Sequence, residues 1–196
     1  MVEERQFDDD IYKKWYKTKD RSGFVSLNGW LEAGKASVDV GELNNEQLKG
    51  STKVWVNAIE LFTYLDSIRQ NTSKMFYPKK GNDNPTEESF SYYGGGKVDN
   101  QPVSRILKVH HWQTQFGDNP SYDNRSFVIK TGHFPAKEAY SGAFIRDASK
   151  PPLSVNMIKM SRLEMVEMAI RMELALHGFA SKNNDFFRSL NGNVER

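Results

Sequence analysis

Twice in this chain a short apolar run passes through Val-Asn into an amphipathic helical pattern, and that doubled junction restricts the folds open to it. Val54-Trp55-Val56-Asn57-Ala58-Ile59 leads into Glu60 to Gln70, and Leu153-Ser154-Val155-Asn156-Met157-Ile158 leads into Ser161 to His177. Each copy follows a stretch rich in aromatics, glycine and basic residues that reads as several β-strands. The pattern predicts a sheet-then-helix unit used twice, an α+β arrangement of a kind that often holds single-stranded nucleic acid.

With 196 residues the chain is long enough for one substantial core, so the two halves are expected to share a single domain. That domain spans 11–178, with halves at 11–72 and 90–178 joined by a long loop. An acidic segment, 1–10, precedes it, and a tail, 179–196, follows. There is no cysteine, which removes disulfide scaffolds, cysteine zinc sites and thiol catalysis. Met1 to Asp10 lacks the apolar centre of a secretory signal, and no apolar run approaches the roughly 20 residues that cross a bilayer, so a cytoplasmic protein without a membrane partner is expected.

Along the chain, Gly23 to Val40 alternates apolar and polar residues, with Glu32-Ala33-Gly34-Lys35 as a hairpin turn and Ala36 to Val40 as the returning strand. Gly41 to Gly50 reads as a polar loop, and Lys53 to Asn57 as a further strand with Val54 and Val56 on one face. Asn57 is placed to cap the first helix, with Glu60 three residues later, and Leu61, Leu65 and Ile68 fall on one helical stripe. Pro78 to Gly96 carries a long loop signal that ends in Gly94-Gly95-Gly96. Strands resume at Ser104 to Trp112 and Ser126 to Thr131, and Ala143 to Arg146 with Leu153 to Ile158 supply the last two. Ser161 and Glu164 form a capping box, and Gly178 is the expected stop of the second helix. Its stripe is Leu163, Val166, Ala169, Ile170 and Leu174, widened by Met165, Met168 and Met172, so burial on more than one side is predicted.

Catalytic chemistry finds little support. His110 and His111 are adjacent, so on a strand they face opposite ways and cannot share a metal. Gly94-Gly95-Gly96 lacks the lysine and hydroxyl of a phosphate-binding loop, and no nucleophile has a recognisable base. A non-enzymatic protein without metal or cofactor is expected. A single-strand binder, by contrast, needs cations for phosphates and flat side chains on which unpaired bases stack. The chain interleaves both: the basic run Lys13, Lys14, Lys17, Lys19 and Arg21 holds Trp15 and Tyr16. Trp55 and Phe127, on strands leading toward helices, are the expected core aromatics, and Trp15, Tyr16, Tyr92 and Tyr93 the expected exposed ones.

The order of elements resembles the Whirly family of single-stranded DNA-binding proteins, over about residues 11 to 178. Ile11-Tyr12-Lys13 is similar to that family's opening V-Y-K strand, and Asp20-Arg21-Ser22-Gly23-Phe24-Val25-Ser26-Leu27 to its D-R-x-G strand start. Val56-Asn57-Ala58-Ile59-Glu60-Leu61 stands where the family passes from strand to first helix. Ser73-Lys74-Met75-Phe76-Tyr77-Pro78 resembles its S-x-E-F-F-H-D-P segment, Arg105-Ile106-Leu107-Lys108-Val109 its R-K-V-L-K-V strand, and Leu153 to Met165 its approach to the second helix. Lys14 and Trp15 depart from the glycine and lysine of the family's K-G-K-A element, which serves DNA binding and higher assembly. The resemblance implies two antiparallel four-stranded sheets each followed by a helix, a duplicated ββββα fold. It also implies homo-oligomers, tetramers in particular, and binding with little sequence preference. Kinetoplastid guide-RNA-binding proteins share the fold, which keeps RNA as a second ligand class.

The expected function is single-stranded DNA binding that coats or protects unpaired strands in replication, recombination or repair. The alternatives are RNA binding on the same fold or a non-enzymatic assembly subunit. The expected phosphate contacts are Lys13, Lys14, Lys17, Lys35, Lys79, Lys80, Arg105, Lys108 and Arg125. The expected stacking residues are Trp15, Tyr16, Trp30, Phe76, Tyr77, Tyr92, Tyr93 and Trp112.

Overall fold

Strand alternation writes the core of the first half: Val25 and Leu27, then Ala36, Val38 and Val40, then Val54 and Val56 all point to one face and are buried there. The structure, a computed structural model, describes residues 9–17, 22–44, 47–70, 86–98, 100–112 and 127–182. Strands β1 (Asp9–Lys17), β2 (Ser22–Trp30), β3 (Lys35–Asn44) and β4 (Gln47–Asn57) form a four-stranded antiparallel sheet in sequence order. Helix α1 (Ala58–Arg69) follows directly.

The second half builds a five-stranded sheet from β5 (Thr86–Val98), β6 (Gln101–Trp112), β7 (Phe127–Glu138), β8 (Phe144–Arg146) and β9 (Ser154–Met160), and then helix α2 (Arg162–Lys182). The short β8 pairs with the last residues of β7, while β9 pairs antiparallel with β7 over Phe127 to His133. The fold is therefore α+β, with a four-stranded sheet and helix followed by a five-stranded sheet and helix. The short β8 falls within the strand expected at 143–146, and the strand beyond the expected four is β5, most of which lies in the segment read as loop.

The inner faces of the two sheets share one core with both helices. Tyr64 of α1 stacks on Phe90 of β5 with ring centroids 4.9 Å apart. Met165, Met168 and Met172 of α2 lie in the same core as Tyr12 and Tyr16 of β1. Polar contacts tie the sheets where the core thins. Asn156 Nδ2 donates to Thr52 Oγ1 at 2.6 Å, Thr52 Oγ1 lies 3.1 Å from Ser154 Oγ, and His133 Nε2 lies 2.9 Å from the Lys53 carbonyl oxygen. The helices are joined by Arg69, which holds Asp66 on its own helix and Glu173 on α2.

The two Val-Asn junctions turn out to be unlike. Asn57 caps α1, its Oδ1 accepting from Ile59 N at 2.9 Å and Glu60 N at 3.1 Å. Asn156 instead sits within β9 and reaches across to Thr52, while α2 is capped by the reciprocal pair Ser161 and Glu164. Two other boundaries also move. Residues 41–44 and 47–50, expected as loop, extend β3 and β4, because their backbones pair from Gly41↔Ser51 to Asn44↔Gln47. Residues 86–96, expected as loop, lie in β5. One of its glycines is fixed by packing: a Cβ on Gly95 would meet Phe144 at 2.6 Å, while one on Gly96 would press on the end of Arg105 at 3.0 Å. Finally, α2 runs through Gly178 to Lys182, and its buried side is Met165, Met168, Ala169 and Met172. Leu163, Ile170 and Leu174 face outward, so the helix is buried on one side only.

Candidate nucleic-acid interface

The residues that alternate away from the core form the outer face of the first sheet, and register sets them in rows across the strands. One row is Trp15–Phe24–Gly41–Ser51, the next Lys13–Ser26–Asp39–Lys53, the third runs Asn28–Ser37–Trp55, and the last Trp30–Lys35–Asn57. Aromatics thus occupy both ends of the face and lysines stand between them. From Phe24 to Trp30 along β2 is about 20 Å at about 3.4 Å per residue.

At one end Trp15 and Phe24 lie 5.1 Å apart, ring to ring, with the planes tilted by 52°. The Phe24 ring lies over Gly41, whose missing side chain leaves the room for it. At the other end Trp30 and Trp55 meet edge to face at 6.3 Å. Trp30 is held at the sheet end by the tight turn that follows it. Leu31 to Ala33 make one 3-10 turn closed by Gly34, which adopts φ +64°, a left-handed conformation that favours glycine. The rings remain accessible: Trp15 is 57% exposed and Trp30 41%.

Two of the lysines stand over tryptophan faces, Lys13 Nζ at 5.4 Å from the Trp15 ring centre and Lys53 Nζ at 5.8 Å from that of Trp55. A cation resting on a ring is already positioned beside the surface where a base would stack, ready to meet that nucleotide's phosphate. Between the aromatic ends the floor is polar: Asn28 and Ser37 are buried, and Asn28 Oδ1 and Ser37 Oγ have no hydrogen-bond partner among the described residues. Buried polar atoms left in this way are uncommon in folded proteins.

The expected site residues separate by the alternation of the strands. Lys13, Trp15, Trp30 and Lys35 gather on this face. Tyr93, 60% exposed, and Lys108 lie on the outer face of the second sheet, with Lys108 Nζ 5.7 Å from the Tyr93 ring centre. Tyr16 is buried in the core, one residue from the exposed Trp15, because adjacent residues on a strand face opposite ways. Tyr92 likewise packs against the core while Tyr93 faces out. Lys14 points inward and pairs with Glu164, and Arg105 lies over Gly96 with Nη2 donating to the Lys97 carbonyl oxygen at 3.4 Å. Lys17 and Trp112 end their strands, β1 and β6. Phe76, Tyr77, Lys79, Lys80 and Arg125 lie outside the described residues.

Trp55, expected in the core, lies half-buried on this outer face and outside the core; Phe127 is buried as expected. Lys53, outside the expected set, also stands on this face. The signal for both is the alternation of β4: Val54 and Val56 are core, so Lys53 and Trp55 must face the other way. Among the described residues no three of His, Asp and Glu converge to hold a metal ion, and no helix is long and apolar enough to cross a membrane. No protein-family model matches the chain, and no curated protein matches it.

Proposed function

We propose that this protein binds single-stranded DNA with little sequence preference, coating unpaired strands during replication, recombination or repair. The observation that carries this reading is the outer face of the first sheet, where two aromatic pairs bracket Lys13 and Lys53 and each lysine lies over a tryptophan ring. Stacking on such rings contributes about 1 to 3 kcal/mol per base and accepts any base, since every base has a flat face. Bases in a duplex are already stacked on each other, so the face favours unpaired strands. The order β5–β6–β7–β9, set aside the short β8, parallels β1–β2–β3–β4, which supports a Whirly-like duplication behind the two sheets.

Leu163, Ile170 and Leu174 on the outer side of α2 support self-association, with a tetramer as the proposed state. Titration with labelled oligothymidine, oligouridine and duplex at low salt tests the function. Tight binding of the unpaired DNA and weak binding of duplex are expected. No binding, equal binding of duplex, or a clear preference for the RNA overturns it.

A further inference from the structure

We infer that the outer face of the second sheet is a second surface for a single strand, so that one chain holds two strands on opposite sides; this rests on the proposed function. The inner faces of the sheets look at each other across Thr52, Ser154 and Asn156, so their outer faces look apart. A strand lying on one face reaches the other only by rounding an edge.

The second face is built for an anion rather than for stacking alone. Lys108 of β6 and Lys130 of β7 are direct cross-strand partners on this face. Like charges set opposite each other weaken a sheet, and a polyanion laid across them reverses that cost. Both lysines line an open cleft of about 260 Å³ together with His110 and Arg146, and among the described residues that line it none carries a carboxylate. The Arg146 guanidinium lies 4.0 Å from the centre of the Phe134 ring, and Phe134 in turn leans over Gly132, where a Cβ would meet it at 2.7 Å. Stacking fixes the plane of the guanidinium while leaving its edge N–H groups for phosphate oxygens, a geometry that arginine offers and lysine does not.

Flanking features suit a strand rather than an isolated phosphate. Tyr93 shares a row with Ile106 and Gly132, one step along the sheet from the lysine pair, and offers a ring for stacking. On the other side the edge strand β9 presents Met157, 60% exposed, in the same row as the lysines, and Lys159 one step further. The first face has three tryptophans and binds chiefly through rings; the second has one exposed tyrosine and binds chiefly through charge.

The test uses the full chain and two short, non-complementary oligonucleotides, one carrying a donor dye and the other an acceptor, each too short to round an edge. Two oligonucleotides per chain and energy transfer between them are expected. The double variant Lys130→Glu/Arg146→Ala should bind one per chain with reduced transfer, with the oligomeric state by light scattering unchanged. Arg146→Ala/Lys159→Glu, at two exposed positions, provides the same readout if the first variant fails to fold. One oligonucleotide per chain in the native protein, or two per chain retained in both variants, overturns the second face while leaving the first intact. Absence of any binding overturns the proposed function and this inference together.

Discussion

Lys14 Nζ lies 3.1 Å from Glu164 Oε1, joining the inner side of β1 to the first turn of α2. The same carboxylate accepts from Ser161 N at 2.6 Å, so one side chain both caps the helix and anchors a strand. Burial pushes the Glu164 carboxyl up, but the Ser161 backbone and the Lys14 ammonium outweigh it and hold the group below the usual carboxylate range. A carboxyl depressed by folding adds stability above its unfolded pKa, and that stability is lost as pH falls through the folded value. Glu164→Gln should therefore flatten the acid side of a plot of melting temperature against pH. Lys14→Ala should lower stability by about 1 kcal/mol or less and leave oligonucleotide affinity unchanged. A loss of affinity in Lys14→Ala would place this lysine on the strand after all.

Tyr12 titrates in the opposite sense. Its burial beside α2 pushes the phenol up to about 12, with Glu167 and Glu164 adding to the effect. A group whose folded pKa is raised stabilises the fold below its unfolded pKa, near 10, and that contribution disappears as pH climbs toward 12. Chemical denaturation at pH 9 and at pH 11 should show a clear loss of stability in the native chain and a smaller one in Tyr12→Phe. Equal losses in both would assign the alkaline sensitivity to another group.

Much of the first half was legible because alternation there is regular. Val25, Leu27, Val38, Val54 and Val56 name the core face, and the same parity, carried through β1 and β4, names Trp15, Lys53 and Trp55 as outward. Position before a helix and basic surroundings are poorer guides than parity: they point to Trp55 as core and to Tyr16 as exposed, whereas alternation puts Trp55 on the outer face and Tyr16 in the core. The glycines of β5 were opaque for a different reason. Gly95 makes room for Phe144, a partner many residues away, and no local pattern encodes that. In α2 the pattern places Leu163, Ile170 and Leu174 in the stripe with Met165, Met168 and Met172, whereas only Ala169 and the methionines are buried, the latter flexible side chains suited to irregular core space.

Thr52 and Asn156 fasten the two sheets by the 2.6 Å hydrogen bond between Asn156 Nδ2 and Thr52 Oγ1. Removing one partner of a buried polar pair costs about 1 to 3 kcal/mol. For a chain of this size that is about 2 to 4 °C in melting temperature per kcal/mol. Asn156→Ala and Thr52→Val should each lower the melting temperature, and the double variant should lose less than the sum. Full additivity would mean that the two side chains do not act on each other.

On the first face, charge and stacking can be separated by salt. Each phosphate neutralised by a lysine adds about 0.7 to the slope of log affinity against log salt for a single strand. Lys13→Ala/Lys53→Ala should therefore flatten the slope by about 1.4. Trp15→Ala and Trp55→Ala should instead lower affinity by roughly 5- to 150-fold, the equivalent of about 1 to 3 kcal/mol of stacking, and keep the native slope. Neither ring belongs to the core, which Val54 and Val56 keep closed, so circular dichroism of the tryptophan variants should stay native. If the lysine pair and the tryptophans changed slope and affinity together, the face would act only as a basic patch, and stacking on Trp15 and Trp55 would have no part in binding.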